Sequence, residues 1–339
     1  MVKGRVSVII PARNERYLVP TVTDLLAKAC GDLEILVMLE GLPWPNPPLP
    51  DDPRVRVLFA ETPRGMRPSI TEGVHAATGE YVLKCDAHMI FSEGFDVALA
   101  ADCDDDHTIV VPMRHSIHQD TWTVAPRSYV HHFLTFPWRL SLYGMGLHAK
   151  SLDTPLNKRV NEARASAPVD PIMGCQGSCW FQARENYLRL GPLDHENLYF
   201  YSESVELFGR QIASGGRCVG TRNAWAAHLH KGKDNTGADG RPGRGYYLDV
   251  RRKWASEGYV TGLCLADRWP DSRVSFRQFV ESFDWLLGQL RDEDRWPEDW
   301  DHPKYRQEFF AMADASTGQE SQHLRVFADA ARRAAGGAW

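Results

Sequence analysis

The sequence has no run of about twenty apolar residues, the length a bilayer-spanning helix needs, so no membrane span is expected. Nor does it open on an apolar signal core. The run Val6 to Ile10 stops at Pro11 and charged residues follow, which reads as a chain not exported by that route. Of its seven cysteines, the nearest pair, Cys175 and Cys179, has no second pair or histidine cluster at zinc-finger spacing. Reduced thiols in a cytoplasmic compartment are therefore expected. Excess charge is small as well. A net charge of -5 exerts no general pull on polyanions, and a nucleic acid would need a local basic patch. What remains, 339 residues at 43% hydrophobic and 24% charged, suffices for one large α/β domain with an appendage or for two modest domains.

The chain opens on RVSVII (5–10), a β-branched apolar run that reads as a buried strand, followed by the polar turn PARNER (11–16). A helix over 19–29, strand 34–39, the proline-dense loop 41–53, strand 55–59, helix 67–77 and strand 81–85 follow. This alternation implies a mostly parallel sheet with helices on both faces. Beyond strand 109–112, the aromatic- and histidine-rich stretch to Tyr143 has no clear period, and 144–176 reads as a polar, mobile or acceptor-facing loop. Order resumes at 177–183 and in a helix beginning near Glu203. The run KGKDNTGADGRPGRGY (231–246) has too much glycine and charge to pack and reads as an exposed flexible loop. Phe276, Phe279, Val280, Phe283, Leu286, Leu287 and Leu290 form one helical stripe that should dock on the main body, and 332–339 should fray. The expected division is 1–235 as the catalytic domain, split near 114 into nucleotide-binding and acceptor halves, then 236–339 as a basic loop and helical extension.

The strongest chemical signal is Asp86-Ala87-His88 at the carboxyl end of the strand YVLKC, where open α/β sheets bind ligands. Alternate residues of an extended segment point the same way, so the carboxylate and imidazole can share a cation. Mixed oxygen and nitrogen ligands suit Mn2+ better than Mg2+. The plainer alternative is that Asp86 caps a turn and His88 is an ordinary loop histidine.

Four longer stretches add to this. VSVIIPARNE and PRGMRPSITEGVHAATGEYVLKCDAH, with GSCWFQARENYLRLGPLD and ESVELFGRQIASGG further on, resemble family 2 glycosyltransferases and the catalytic domain of polypeptide N-acetylgalactosaminyltransferases. That resemblance spans roughly residues 5–232, apart from 115–175. It implies a GT-A fold: a Rossmann-like, mostly parallel mixed sheet flanked by helices. It also implies transfer of a sugar from a nucleotide-diphosphate donor, UDP in the first instance, to a hydroxyl acceptor: protein, glycan, small molecule or modified DNA. Asp86, His88 and His228 of AWAAHLH become the expected Mn2+ (or Mg2+) ligands, with His230 the alternative to His228. Pro11, Arg13, Glu15, Lys84 and Asp86 are expected against the donor, with Arg67, Lys231 and Lys233 near its phosphates. Glu40 is a substitute at the nucleoside, because the family's two aspartates after the second strand are replaced by Met38 and Leu39. Glu203 is followed by Ser204 rather than the aspartate that serves as base in many inverting members. This favours a retaining outcome, with Glu203 or Glu206 as the candidate catalytic carboxylates.

Three alternatives share parts of this pattern. A phage-type DNA glycosyltransferase would use the basic residues of 231–253 on a strand carrying a hydroxymethylated base. A nucleotidyltransferase would want a glycine-rich loop after the first strand, and PARNER has no glycine. A sugar-nucleotide binding protein without turnover would keep the fold alone.

Overall fold

A computed structural model describes all residues except 46, 131, 135, 139–148, 151–154, 199–201, 232–234, 242–248, 293–295 and 317–321. The amino-terminal third alternates strand and helix. It runs β1 (Val2–Ala12), α1 (Leu18–Lys28), β2 (Leu33–Glu40), β3 (Val55–Ala60), α2 (Met66–Ala76), β4 (Gly79–Cys85), β5 (Met89–Phe91) and α3 (Phe95–Asp102). The middle holds β6 (Thr108–His118), β7 (Thr123–Tyr129), the short pair β8 (Phe133–Leu134) and β9 (Ala149–Lys150), α4 (Pro155–Ala163) and β10 (Val169–Pro171). It continues with β11 (Cys179–Ala183), α5 (Arg184–Leu190), α6 (Glu203–Ala213) and β12 (Arg217–His228). Helices α7 (Val250–Leu265), α8 (Phe276–Glu281), α9 (Asp284–Asp292), α10 (Pro303–Ala315) and α11 (Gln322–Ala335) complete the described chain.

Ten strands form the main sheet, in the order β10-β12-β6-β11-β4-β1-β2-β3, with β5 pairing β12 and β7 pairing β6. Strands β3, β2, β1 and β4 are parallel, as βαβ crossovers require. Strand β11 then enters antiparallel between β4 and β6, so the acceptor half is mixed rather than a continuation of the parallel set. Period-2 alternation sorts the apolar side chains. Val6, Val8 and Ile10 of β1 pack with Leu18, Val22 and Leu25 of α1 and with Phe95 and Leu99 of α3. Ile9 faces the opposite way, into a core shared by Ile70 and Val74 of α2, Phe208 of α6 and the carboxyl-terminal helices.

The stripe expected over 276–290 is buried and joins that second core, but on two helices broken at Ser282–Phe283. Segment 144–176, expected as a loop, includes α4 and β10; β10 adds to the sheet through β12 with only three residues, too short for a period to register. The tail does not fray where expected. Helix α11 packs on α7 so closely that a Cβ on Gly258 would lie 2.2 Å from the Phe327 carbonyl oxygen, and Trp339 meets Trp138 at 5.5 Å. Small residues at the crossing allow this approach, and hydropathy does not weigh backbone contact. The seven cysteines are free thiols, and no described helix is long and apolar enough to cross a membrane.

Candidate functional site

Strand β4 ends at Cys85, and the Asp86 N–H continues the pairing with β11 by donating to the Ser178 carbonyl at 2.8 Å. Asp86 therefore leaves the sheet at the carboxyl end of the parallel strands. Three residues later β5 begins, held by side chains of α1: the Met89 N–H donates to Thr21 Oγ1 at 3.0 Å and the Phe91 N–H to Asp24 Oδ2 at 2.7 Å. Strand β12 runs antiparallel to β5 with His228 opposite Met89, and the Leu229 N–H donates to the His88 carbonyl at 3.1 Å. That register brings His228, 140 residues away in sequence, beside His88.

Three potential ligand atoms converge there. His228 Nε2 lies 3.2 Å from Asp86 Oδ2 and 3.1 Å from His88 Nε2, and His88 Nε2 lies 3.8 Å from Asp86 Oδ2. Among the described residues this is the one group of three or more His, Cys, Asp or Glu whose ligand atoms all lie within 4.8 Å of one another. One carboxylate oxygen and two imidazole nitrogens fit a divalent cation, and the surroundings of His88 strengthen the fit. Its other nitrogen, Nδ1, faces Glu15 Oε2 at 3.2 Å, so Glu15 can hold the proton on Nδ1 and leave the Nε2 lone pair for a cation. His230 is not part of the cluster. Arg114, from the middle of β6, donates to His230 Nε2 and, at 3.0 Å, to His228 Nδ1. A guanidinium has no acceptor, so His228 Nδ1 accepts from Arg114, and a cation held by Nε2 would require the proton to leave that nitrogen.

Charges support ionised Asp86 and Glu15 and neutral His228 and His230. Burial works against ionisation of Asp86, but Lys84 and the hydrogen bond from His228 outweigh it and hold the carboxyl well below its usual range. Burial likewise opposes ionisation of Glu15, and His88 with Lys231 keep its pKa low. Burial depresses His228 well below the ordinary imidazole value and takes His230 down to about 4. Neutral imidazole is the form that binds a metal.

The other expected residues divide into two groups. Lys231 reaches the site through its ion pair with Glu15. Lys84 is wholly buried and donates to Asp86 Oδ1 at 2.6 Å and to the Gly177 carbonyl. Glu203, at the amino end of α6, lies against Gly177: a Cβ there would be 2.4 Å from Glu203 Oε1, so glycine permits the approach. Glu203 Oε2 is buried with no hydrogen-bond partner among the described residues. Pro11 lies opposite Met38, one residue before the end of β1, and Arg13 is exposed on the turn beyond it. Lys233 lies outside the described residues.

Three candidates are committed elsewhere. Arg67, expected near phosphate, is buried in an ion pair with Glu206 and also donates to the Asp194 carbonyl at 3.2 Å. Glu206 is fully buried and accepts from Arg67, from Arg210 at 2.5 Å and from the Asp194 N–H at 2.9 Å, so this expected catalytic carboxylate joins α2, α6 and the segment after α5. Glu40 accepts the Gly65 N–H with both oxygens at 3.0 Å and the Ser69 hydroxyl at 2.7 Å, which ties the end of β2 to the amino terminus of α2. The run after β12 also differs from expectation in its described part. The Asn14 amide donates to Asp239 Oδ1 at 2.9 Å and the Ala238 N–H donates to the Asn14 carbonyl at 3.1 Å, docking residues 235–241 on the PARNER turn. Arg251, Arg252 and Lys253 belong to α7 rather than to that loop. Arg114 is the site residue missed in the sequence, since one arginine inside an apolar strand carries no motif.

Residues 7–155 match the profile described as glycosyl transferase family 2. No curated protein sequence matches the chain. Among solved structures, GalNAc-T7 crystallised with UDP, GalNAc and Mn2+ aligns with a TM-score of 0.57 at 17% identity, over 85% of this chain and 56% of that one. TarS from S. aureus aligns at 0.44 and 12% identity, over 84% of this chain and 43% of that one. The chain thus spans about half the length of these structures. Residues 7–155 are thus similar to glycosyl transferase family 2, and the alternating half with its inserted antiparallel strand has the GT-A fold seen in GalNAc-T7.

Proposed function

We propose that this protein transfers a sugar from a nucleotide-diphosphate donor, UDP in the first instance, to a hydroxyl acceptor, with Asp86, His88 and His228 as ligands of Mn2+ or Mg2+. The observation that carries this reading is the convergence of one carboxylate and two imidazoles at the carboxyl end of the parallel strands. A divalent cation bound there would act as a Lewis acid, stabilising the negative charge that develops on the departing diphosphate. Glu15 orients His88 and neutralises Lys231 until a more acidic partner arrives. Lys231, released from Glu15, is then close enough to the triad to meet a phosphate oxygen.

The anomeric outcome assigned here is retention. It is supported by Ser204 standing after Glu203, where many inverting enzymes of the resembled family have an aspartate base. Glu203, whose Oε2 is buried with no hydrogen-bond partner among the described residues, is the carboxylate assigned to face the sugar or the acceptor hydroxyl. Glu206, locked between two arginines, is set aside from the chemistry.

A thermal-shift screen of nucleotide sugars with and without Mn2+ tests the reading, because a donor that binds only the folded state must stabilise it by mass action. A donor that raises the melting temperature only with the cation, and fails to do so in Asp86→Ala, is the expected result. Equal stabilisation of Asp86→Ala would remove the triad from the proposal. A salt series against duplex DNA separates the acceptor classes, since phosphate-driven binding weakens steeply with salt.

A further inference from the structure

Lys84 is a charged side chain with no access to water in a site proposed to bind a doubly charged cation. Its side chain is 0% exposed, and its ammonium donates to one oxygen of Asp86 while the other oxygen faces His88 and His228. The Gly177 carbonyl takes a second hydrogen, and Glu203 lies against the same glycine. A lysine so placed divides Asp86 into two roles. Oδ1 is held by the protein, and Oδ2 alone is presented to the imidazoles.

The charge balance of the cluster follows from its contacts. Asp86 and Glu15 are opposed by Lys84 and Lys231, one ammonium for each carboxylate, and the Arg114 guanidinium stands against His228. A divalent ion entering this cluster alone adds two uncompensated charges a short distance from a buried ammonium. A diphosphate entering with it removes that excess. Electrostatic interactions across a few ångströms in a partly buried site are large enough to decide the order of these events.

We propose that Lys84 is a resident counter-cation of Asp86 which keeps the free protein's affinity for divalent metal low, so that the metal is taken up together with the nucleoside diphosphate rather than before it. This rests on the reading of Asp86, His88 and His228 as metal ligands. It makes Lys84 a positioning residue that touches neither donor nor acceptor.

The experiment is Mn2+ binding followed by the EPR signal of the free ion, with and without UDP, each corrected against the same solution lacking protein. The proteins compared are wild type, Lys84→Met, Glu203→Gln and the double variant. Wild type should bind Mn2+ weakly alone and more tightly with UDP. Lys84→Met should tighten nucleotide-free binding roughly tenfold or more, as removal of one neighbouring positive charge predicts, and should narrow the effect of UDP. The double variant loses one charge of each sign and guards against Lys84→Met failing to fold. It should bind Mn2+ more tightly than Glu203→Gln alone. Nucleotide-free affinity that is unchanged or weaker in both comparisons overturns the role of Lys84 while leaving the metal site standing. Absence of Mn2+ binding by wild type even with UDP overturns the site and the inference together.

Discussion

Glu206→Gln is expected to damage stability rather than chemistry, and the size of the effect follows from what surrounds the carboxylate. Glu206 is 0% exposed and Arg67 3%, so the substitution leaves a guanidinium in the core facing an amide. Arg210, at 17%, is closer to water and already donates to the Leu190 and Pro192 carbonyls, so it loses less. Removing one partner of a buried pair costs about 3–5 kcal/mol, because the remaining charge is uncompensated. Replacing both by apolar groups is often close to neutral, so Arg67→Met with Glu206→Leu should recover a large part of the loss, with a coupling of about 2 kcal/mol or more. Urea denaturation of Glu206→Gln and of the four proteins of the Arg67→Met and Glu206→Leu cycle, compared at the transition midpoint, measures this. A loss below about 1 kcal/mol for Glu206→Gln would refute the buried-pair argument. Normal stability with sugar transfer abolished would return Glu206 to the catalytic group.

Glu15→Gln should weaken Mn2+ binding in the presence of UDP by roughly 10- to 100-fold, the usual effect of losing the carboxylate behind a metal-bound histidine; unchanged binding by EPR would remove Glu15 from that role. Stability should fall between pH 6.5 and about 4 because the unfolded chain protonates His230 while the folded chain refuses the proton. Because His230 is exposed, solvent screens the effect to about 1 kcal/mol or less, absent above pH 6.5 and complete near the folded value, and His230→Gln should flatten that window in denaturation series; parallel curves for the two proteins would contradict it. Gly258→Ala should destabilise by about 1–3 kcal/mol despite the higher helix propensity of alanine, since its Cβ meets the Phe327 backbone; equal or greater stability would show that α7 and α11 can part without cost.

Period and local chemistry determined much of this protein. Alternation in RVSVII and the apolar strands after it marked the parallel half, because burial on both faces selects β-branched runs. Asp86 and His88 were legible together because they lie two residues apart just past a strand end, close enough to share an ion even though the chain bends at Ala87 and His88. His228 was reached only through resemblance, since its meeting with His88 depends on the β5 and β12 register. The partners of the charged residues were beyond the sequence. Whether Arg67, Glu40, Glu206 or Lys84 meets ligand, water or another charge is set by long-range packing, and burial then fixes how much each pairing matters. Arg114 illustrates this: an isolated arginine in an apolar strand has no pattern of its own, and only the fold places its guanidinium between two histidines.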